Sequence, residues 1–239
     1  MTVTVNVAAA EPPVRPPAPR RLLMVGAGFL VLAAVVAPLA ALVRGRWQPL
    51  VDLDAAAARG ATSLSGLHGA ASVLTWLGAP VVLEAVATVL ALWLLRAGRG
   101  RSALYLALAV GGGQLLSVVA KAAVHRARPC VGRAVALHCP HSYSFPSGHA
   151  LAAAGGYLAL AVVTVGLVGP RSRRLVTGVA VGLPLLVAAT RVVLGVHYLT
   201  DVLAGLALGW GWVALCTGLL ARWRAEEDRP MGLRGSERE

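Results

Sequence analysis

The chain has 239 residues, of which 57% are apolar and 13% charged, with 22 basic and 10 acidic side chains and a formal net charge of +12. So few charges cannot clothe the core of a soluble domain of this size, and so apolar a chain is not a disordered one. The positive excess does not read as nucleic-acid binding, because the basic residues punctuate the gaps between apolar runs instead of gathering among aromatics, which leaves a polytopic membrane protein.

Residues 1–21 contain Pro12, Pro13, Pro16, Pro17 and Pro19 and predict a disordered cytoplasmic tail. Arg20 and Arg21 precede an uncharged stretch, Leu22 to Val43. As a helix it reaches roughly 33 Å, enough for the hydrocarbon core. A cleaved signal peptide is the rival reading, but the stretch is long for one and a tail precedes it. Residues 44–60 are mixed and polar. The apolar region from Leu64 to Leu95 would be roughly 48 Å as one helix, too long for a single crossing, and Gly78 and Pro80 interrupt it. Residues 52–77 therefore read as interfacial or partly re-entrant, and about 79–95 as the second crossing.

A third crossing is expected from Ala103 to Val124, followed by a polar loop to Pro146. The fourth runs from His149 to Val168 and ends at Gly169, Pro170 and the cluster Arg171, Arg173 and Arg174. The fifth covers Leu175 to Leu194, and the sixth Tyr198 to Leu220. Residues 222–239 form a charged tail, so the membrane domain spans 22–221. The expected fold is all-α, with six transmembrane helices and both termini on one side. Arg15, Arg20, Arg21, the arginines at 96–101 and 171–174, and those of the C-terminal tail mark that side as cytoplasmic. Arg126, Arg128, Arg133 and Arg191 fall on the opposite, extracytoplasmic side and need another reason.

That reason is chemical. Lys121, the only lysine, lies seven residues before Arg128, two helical turns if the helix persists, and Pro129 then turns the chain. Two fixed cations bind a phosphoryl group and stabilise its transition state. Ser147 occupies an expected helix N-cap, Gly148 lets a ligand approach the backbone, and free amides at a helix start attract anions. His149 is placed to move a proton. His197 and Asp201 are four apart, side by side if both lie on one helix, and a carboxylate on one ring nitrogen makes the other more nucleophilic. Arg191 adds a third cation.

Each residue also has an ordinary reading. Lys121 and Arg128 could snorkel to the interface, Ser147 and His149 could only cap a helix, and His197 with Asp201 could be a structural pair or a transporter's proton relay. Their convergence on one membrane face argues against all of these together.

The pattern strongly resembles the type 2 phosphatidic acid phosphatase superfamily. Lys121, Arg128 and Pro129 complete its first motif, Pro146-Ser147-Gly148-His149 its second, and Arg191, His197 and Asp201 its third. Thr190 stands where serine is usual and keeps the hydroxyl. The resemblance covers about 100–215. It implies a six-helix fold with an extracytoplasmic active site and a metal-independent reaction through a phosphohistidine, with no cofactor. His197 would attack phosphorus and Asp201 orient it. His149 would protonate the leaving oxygen and then help activate water, while Lys121, Arg128, Arg191, Ser147 and the Gly148 amide hold the phosphate oxygens. The residues agree on metals: between 60 and 221 the only acidic side chains are Glu84 and Asp201, too few for a two-metal site.

Cys130 and Cys139 share the outer loop, where a disulfide can form or both thiols stay free, while Cys216 reads as a packed helix residue. His125, His138 and His141 are too loosely spaced for a metal cluster, and His125 is the best candidate among them for substrate contact. Glu84 sits in an apolar helix, where it must pair or face water. The expected protein is a membrane lipid phosphatase. Its substrate would be a lipid phosphomonoester or diphosphate of the undecaprenyl diphosphate, phosphatidic acid or phosphatidylglycerophosphate class. The rivals are a lipid phosphotransferase and a non-catalytic lipid-phosphate binder or transporter. The expected partners are the bilayer and the lipid, with no nucleic acid.

Overall fold

The computed structural model describes residues 36–131, 140–165 and 169–227, together with Gly26, Leu30 and Ala34. All regular structure among them is helical. Helix α1 is described over residues 36–44, and α2 is Gln48–Thr62. Then come α3, His68–Leu74, and α4, Pro80–Arg96, joined through a 3₁₀ turn at Thr75–Gly78. Helices α5, Gly100–Leu106, and α6, Gly112–Val124, are joined by a π-helical segment at Ala107–Gly111. The remaining helices are α7, Gly148–Thr164; α8, Pro170–Val193; and α9, Leu199–Glu227.

Among the described residues, four helical rods are long and apolar enough to cross a bilayer: Ser65–Arg96, Gly100–Val124, Pro170–Val193 and Leu199–Leu219. The expected fourth crossing is the shorter apolar helix Gly148–Thr164. Half of the expected first crossing, Leu22 to Val43, lies outside the described residues. The interruption expected at Gly78 and Pro80 is a 3₁₀ turn at Thr75–Gly78 followed by an extended Ala79, ψ 126°. Pro80 then takes the first position of α4, where its missing N–H costs nothing, so the helix resumes at once. Residues 52–77 are correspondingly helical for most of their length. Pro170 likewise starts α8 five residues before the expected Leu175, drawing the basic cluster into its first turn.

Helix α7 is the centre of the bundle. Its run from Ala150 to Gly156 is buried throughout. Small residues let α9 come against it: a Cβ on Gly205 would lie 2.6 Å from the Ser147 carbonyl oxygen, and one on Gly209 2.5 Å from that of Leu151. Such close approach replaces the hydrophobic drive that lipid does not supply between helices. It also fixes the start of α7 against the start of α9, where the chemistry-bearing residues lie. In the π-helical segment the Leu108 carbonyl accepts the Gly112 N–H and also a bond from Trp212 Nε1 at 3.1 Å, which ties α9 to this segment. Glu84 is exposed on α4 and opens onto a groove of about 380 Å³ between that helix and the π-helical segment.

Candidate active site

Three chain segments meet at one end of the bundle. Helix α6 stops at Val124 because His125 turns into the left-handed region, φ 55°, and donates its N–H to the Lys121 carbonyl at 3.0 Å. Arg128 is therefore not two helical turns above Lys121, as the seven-residue spacing suggests. The loop returns it instead. Lys121 Nζ donates to the Tyr143 carbonyl at 2.6 Å, while Arg128 Nε donates to the Ser142 carbonyl at 2.7 Å and its Nη2 to Ser142 Oγ at 2.9 Å. Both cations thus organise residues 142–143 just before α7.

His197 and Asp201 do meet, but not on one helix. His197 precedes α9, and Asp201 occupies the third helical position, folding back so that its Oδ2 accepts the Tyr198 N–H at 2.9 Å. This is half of a capping box. The same oxygen accepts the Ser144 hydroxyl and lies 3.5 Å from His197 Nδ1. On the other side of the ring, Arg128 Nη1 lies 2.8 Å from Nε2. Because a guanidinium only donates, Nε2 must accept, which puts the ring proton on Nδ1 facing the carboxylate. Nε2 therefore keeps its lone pair beside a cation. His197 is 2% exposed. Burial pushes its pKa down to about 4, with the Arg128 charge adding to that and the Asp201 carboxylate opposing it.

Ser147 holds the N-cap position of α7, and its N–H donates to the Asp201 carbonyl at 3.0 Å. Its hydroxyl makes no capping bond, and although buried it has no hydrogen-bond partner. Arg191 is 8% exposed, donates from Nη1 to Thr75 Oγ1 at 2.9 Å, and leaves Nε without a partner. His149, one residue into α7, lies within Coulombic reach of Arg191, His197, Arg128 and Lys121. A Cβ on Gly148 would stand 3.9 Å from Lys121 Cε, so that backbone faces the lysine closely. All eight expected residues converge. A gathering of cationic and N–H donors, with one buried hydroxyl and one guanidinium nitrogen unpartnered, suits an oxyanion.

The structure adds residues that no motif marks. Arg126 spans two buried carboxylates: its Nη1 donates to Asp201 Oδ1 at 2.7 Å and its Nη2 to Asp54 Oδ2 at 2.6 Å, with the two aspartates 0% and 1% exposed. Nη1 also reaches Thr200 Oγ1 at 2.7 Å, and the guanidinium lies 3.9 Å over the Tyr198 ring. Burial disfavours the Arg126 charge, but Asp201 and Asp54 outweigh that and hold it firmly protonated. Asp54 accepts the Thr200 N–H at 3.0 Å, so a residue of α2 satisfies an orphan amide at the start of α9. The only sequence signal was Arg126 itself, an arginine on the outer side without an assigned use.

In the loop after α6, Cys130 is disulfide-bonded, and its expected partner Cys139 lies outside the described residues, as does His138. His141 is exposed, and Cys216 is a buried free thiol. The His125 ring packs edge-on against Tyr143, centroids 4.6 Å apart. Among the described residues no three or more His, Cys, Asp or Glu side chains cluster as metal ligands would.

The sequence model of the PAP2 superfamily matches residues 102–225. The chain is 38% identical over 108 residues to phosphatidylglycerophosphatase B of Bacillus subtilis (strain 168), covering 44% of this chain and 52% of that protein. It is 33% identical over 101 residues to phosphatidylglycerophosphatase B of Escherichia coli (strain K12), covering 40% of this chain and 38% of that one. The matched segment thus spans about half or less of these relatives' length. Among solved structures, the transmembrane PAP2-type phosphatidylglycerolphosphate phosphatase from Bacillus subtilis superposes with a TM-score of 0.69 at 26% identity, covering 88% of this chain and 98% of that one.

Proposed function

The chain belongs to the PAP2 superfamily, and on that footing we propose that it is a membrane lipid phosphatase acting on a lipid phosphomonoester or diphosphate through a phosphohistidine. The observation that carries the reading is the His197 ring, with Asp201 at one nitrogen and Arg128 at the other. Nε2 attacks the terminal phosphorus, forming an N–P bond as the P–O bond to the leaving oxygen breaks, an ester bond in a monoester and an anhydride bond in a diphosphate, and the leaving oxygen takes a proton from His149. His149 then removes a proton from water, whose oxygen forms a P–O bond as the N–P bond breaks. The products are inorganic phosphate and either the lipid alcohol, from a monoester, or the lipid monophosphate, from a diphosphate, with Nε2 restored. Lys121, Arg128, Arg191, the Ser147 hydroxyl and the Gly148 amide hold the equatorial oxygens, where charge builds in the transition state. The named function of the relatives favours phosphatidylglycerophosphate among the candidate lipids.

Purified protein in detergent with EDTA is expected to release inorganic phosphate from at least one of phosphatidylglycerophosphate, phosphatidic acid and undecaprenyl diphosphate. Release only with an added acceptor lipid would make it a transferase, and no release at all would make it a binder or transporter. Ser147→Ala separates phosphate holding from capping. Because the hydroxyl makes no capping bond, the variant should keep its thermal transition while kcat/KM falls roughly 10–100-fold. A lowered transition with an unchanged rate would leave Ser147 a purely structural residue.

We further propose six crossings with both termini cytoplasmic and the site facing outward, supported by the arginines at 96–101 and 171–174 at the opposite end of the rods. After reduction, a membrane-impermeant thiol reagent added to intact cells should label Cys130. Labelling only in inverted vesicles would reverse the orientation.

A further inference from the structure

Lys121 and Arg128 are anchored by residues 142–143, just before α7. Arg191 is anchored from a different part of the chain. It lies in the last turn of α8, 8% exposed, and among the described residues its guanidinium has one hydrogen-bond acceptor, Thr75 Oγ1 at 2.9 Å. No carboxylate pairs with it there, and its Nε has no partner. With a single anchor, the direction of so long a side chain rests on that bond. The acceptor is a hydroxyl, which orients the guanidinium without neutralising it and leaves the charge for an oxyanion. Thr75 is itself well placed to hold something still, because its 3₁₀ turn, Thr75–Gly78, is pinned on two sides. Tyr157 Oη of α7 donates to the Leu77 carbonyl at 2.8 Å. Gly78 sits so close to α8 that a Cβ there would collide with the Val187 side chain. Val187 is four residues before Arg191, one helical turn away on the same face. The turn is thus seated on the face of α8 that carries Arg191.

We propose that Thr75 is a positioning residue for the reaction, its hydroxyl fixing Arg191 so that Nε is presented to the phosphate oxygens. The proposal rests on the lipid phosphatase reading and adds to it a residue that takes no part in bond making and acts through Arg191. Thr75 lies outside residues 102–225, which the family model matches, so the motifs of the site give no sign of it. The segment before α4 thereby acquires a part in the chemistry: it carries the anchor of one of the three cations.

The test uses the full chain in detergent and two variants. Thr75→Val keeps the shape of the side chain and removes the hydroxyl, whereas Thr75→Ser keeps the hydroxyl. Thr75→Val should lower kcat/KM for lipid phosphate release about tenfold, more through kcat than KM, because charge on the held oxygens grows in the transition state. Thr75→Ser should recover most of the rate. On an Arg191→Gln background, Thr75→Val should cost no more than about twofold further, since the group it positions is gone. A similar loss on both backgrounds, or no loss on either, overturns the proposal. A second readout needs no turnover. Inorganic phosphate should raise the unfolding midpoint of the unaltered protein, and the concentration required should increase about threefold or more in Thr75→Val and return in Thr75→Ser. An equal response to phosphate in all three proteins overturns the proposal even if none hydrolyses lipid. So does a midpoint lowered without phosphate in Thr75→Val when its response to phosphate is unchanged, which would leave Thr75 purely structural. Absent hydrolysis with the phosphate response altered as expected would sink only the phosphatase reading.

Discussion

Replacing His197 with alanine is expected to lower phosphate release from any lipid substrate by about 10⁴-fold or more, because nothing else at the site can form the covalent intermediate. Rapid quenching of the unaltered protein with labelled lipid should trap a phosphoenzyme stable to base and labile to acid, as a phosphoramidate is, and the variant should trap none. A residual rate within tenfold of the original would remove His197 from the nucleophile's role. The pH dependence carries a second signature. The buried ring has its pKa lowered from 6.5 to about 4, so the folded protein keeps His197 neutral over a range in which the unfolded chain binds a proton. Stability therefore rises with pH across that window, and this contribution is lost as pH falls from 6.5 towards 4. The nucleophile itself stays unprotonated to about 4, so the acid limb of kcat/KM due to this group should lie well below an ordinary histidine's. In His197→Ala, the thermal transition should lose that part of its acid sensitivity.

The second large effect is expected at Arg126, which no motif marks. Arg126→Met leaves Asp54 and Asp201 buried without their shared cation, and breaking such a pair by removing one partner costs about 3–5 kcal/mol. The expected result is a large loss in unfolding midpoint in detergent together with a fall in kcat of roughly 100-fold, since Asp201 loses the cation on Oδ1 and keeps only the Tyr198 and Ser144 bonds on Oδ2 to hold it toward His197. Adding Asp54→Asn should restore part of the stability, because one of the two stranded charges is then neutral, and little of the rate, because Asp201 Oδ1 still lacks its cation. Strictly additive stability losses in the double variant would show that the two side chains do not couple. A fall confined to KM would show that Arg126 contacts substrate rather than positioning Asp201.

The members of the candidate site are legible in the chain because they sit at short spacings. Lys121 and Arg128, Ser147 to His149, and Arg191 with His197 and Asp201 can be read off the chain, and the fold gathers all of them. The local geometry assumed for two of these groups was wrong in an informative way. His125 ends α6 early, so a loop brings Arg128 to Lys121. His197 lies before α9, so a capping carboxylate reaching back, not helical periodicity, joins it to Asp201. Spacing gave the right partners because a tight turn at a helix end keeps sequence neighbours close even where the helix itself has stopped.

The sequence by itself determined the membrane character and the set of residues suited to a phosphate. Sparse charge, apolar runs of crossing length and cations at fixed intervals are local properties, and each follows from composition or from a few neighbouring positions. Only the tertiary structure could decide what supports that set. Asp54 reaches Thr200 across 146 positions of chain and Arg126 across 72, and a bond between side chains so far apart has no periodicity for a sequence to display. The same holds for Gly205 and Gly209, which read as ordinary helix glycines until α7 is seen lying where their side chains would be. The +12 of the sequence is thus sorted by the fold: the arginines at 96–101 and 171–174 lie at the far end of the rods, Arg128 lies against His197 Nε2, Arg191 is buried with its Nε unpartnered, and Arg126 is locked between two carboxylates. A net charge sums these side chains alike, whereas their roles depend on what each is buried against.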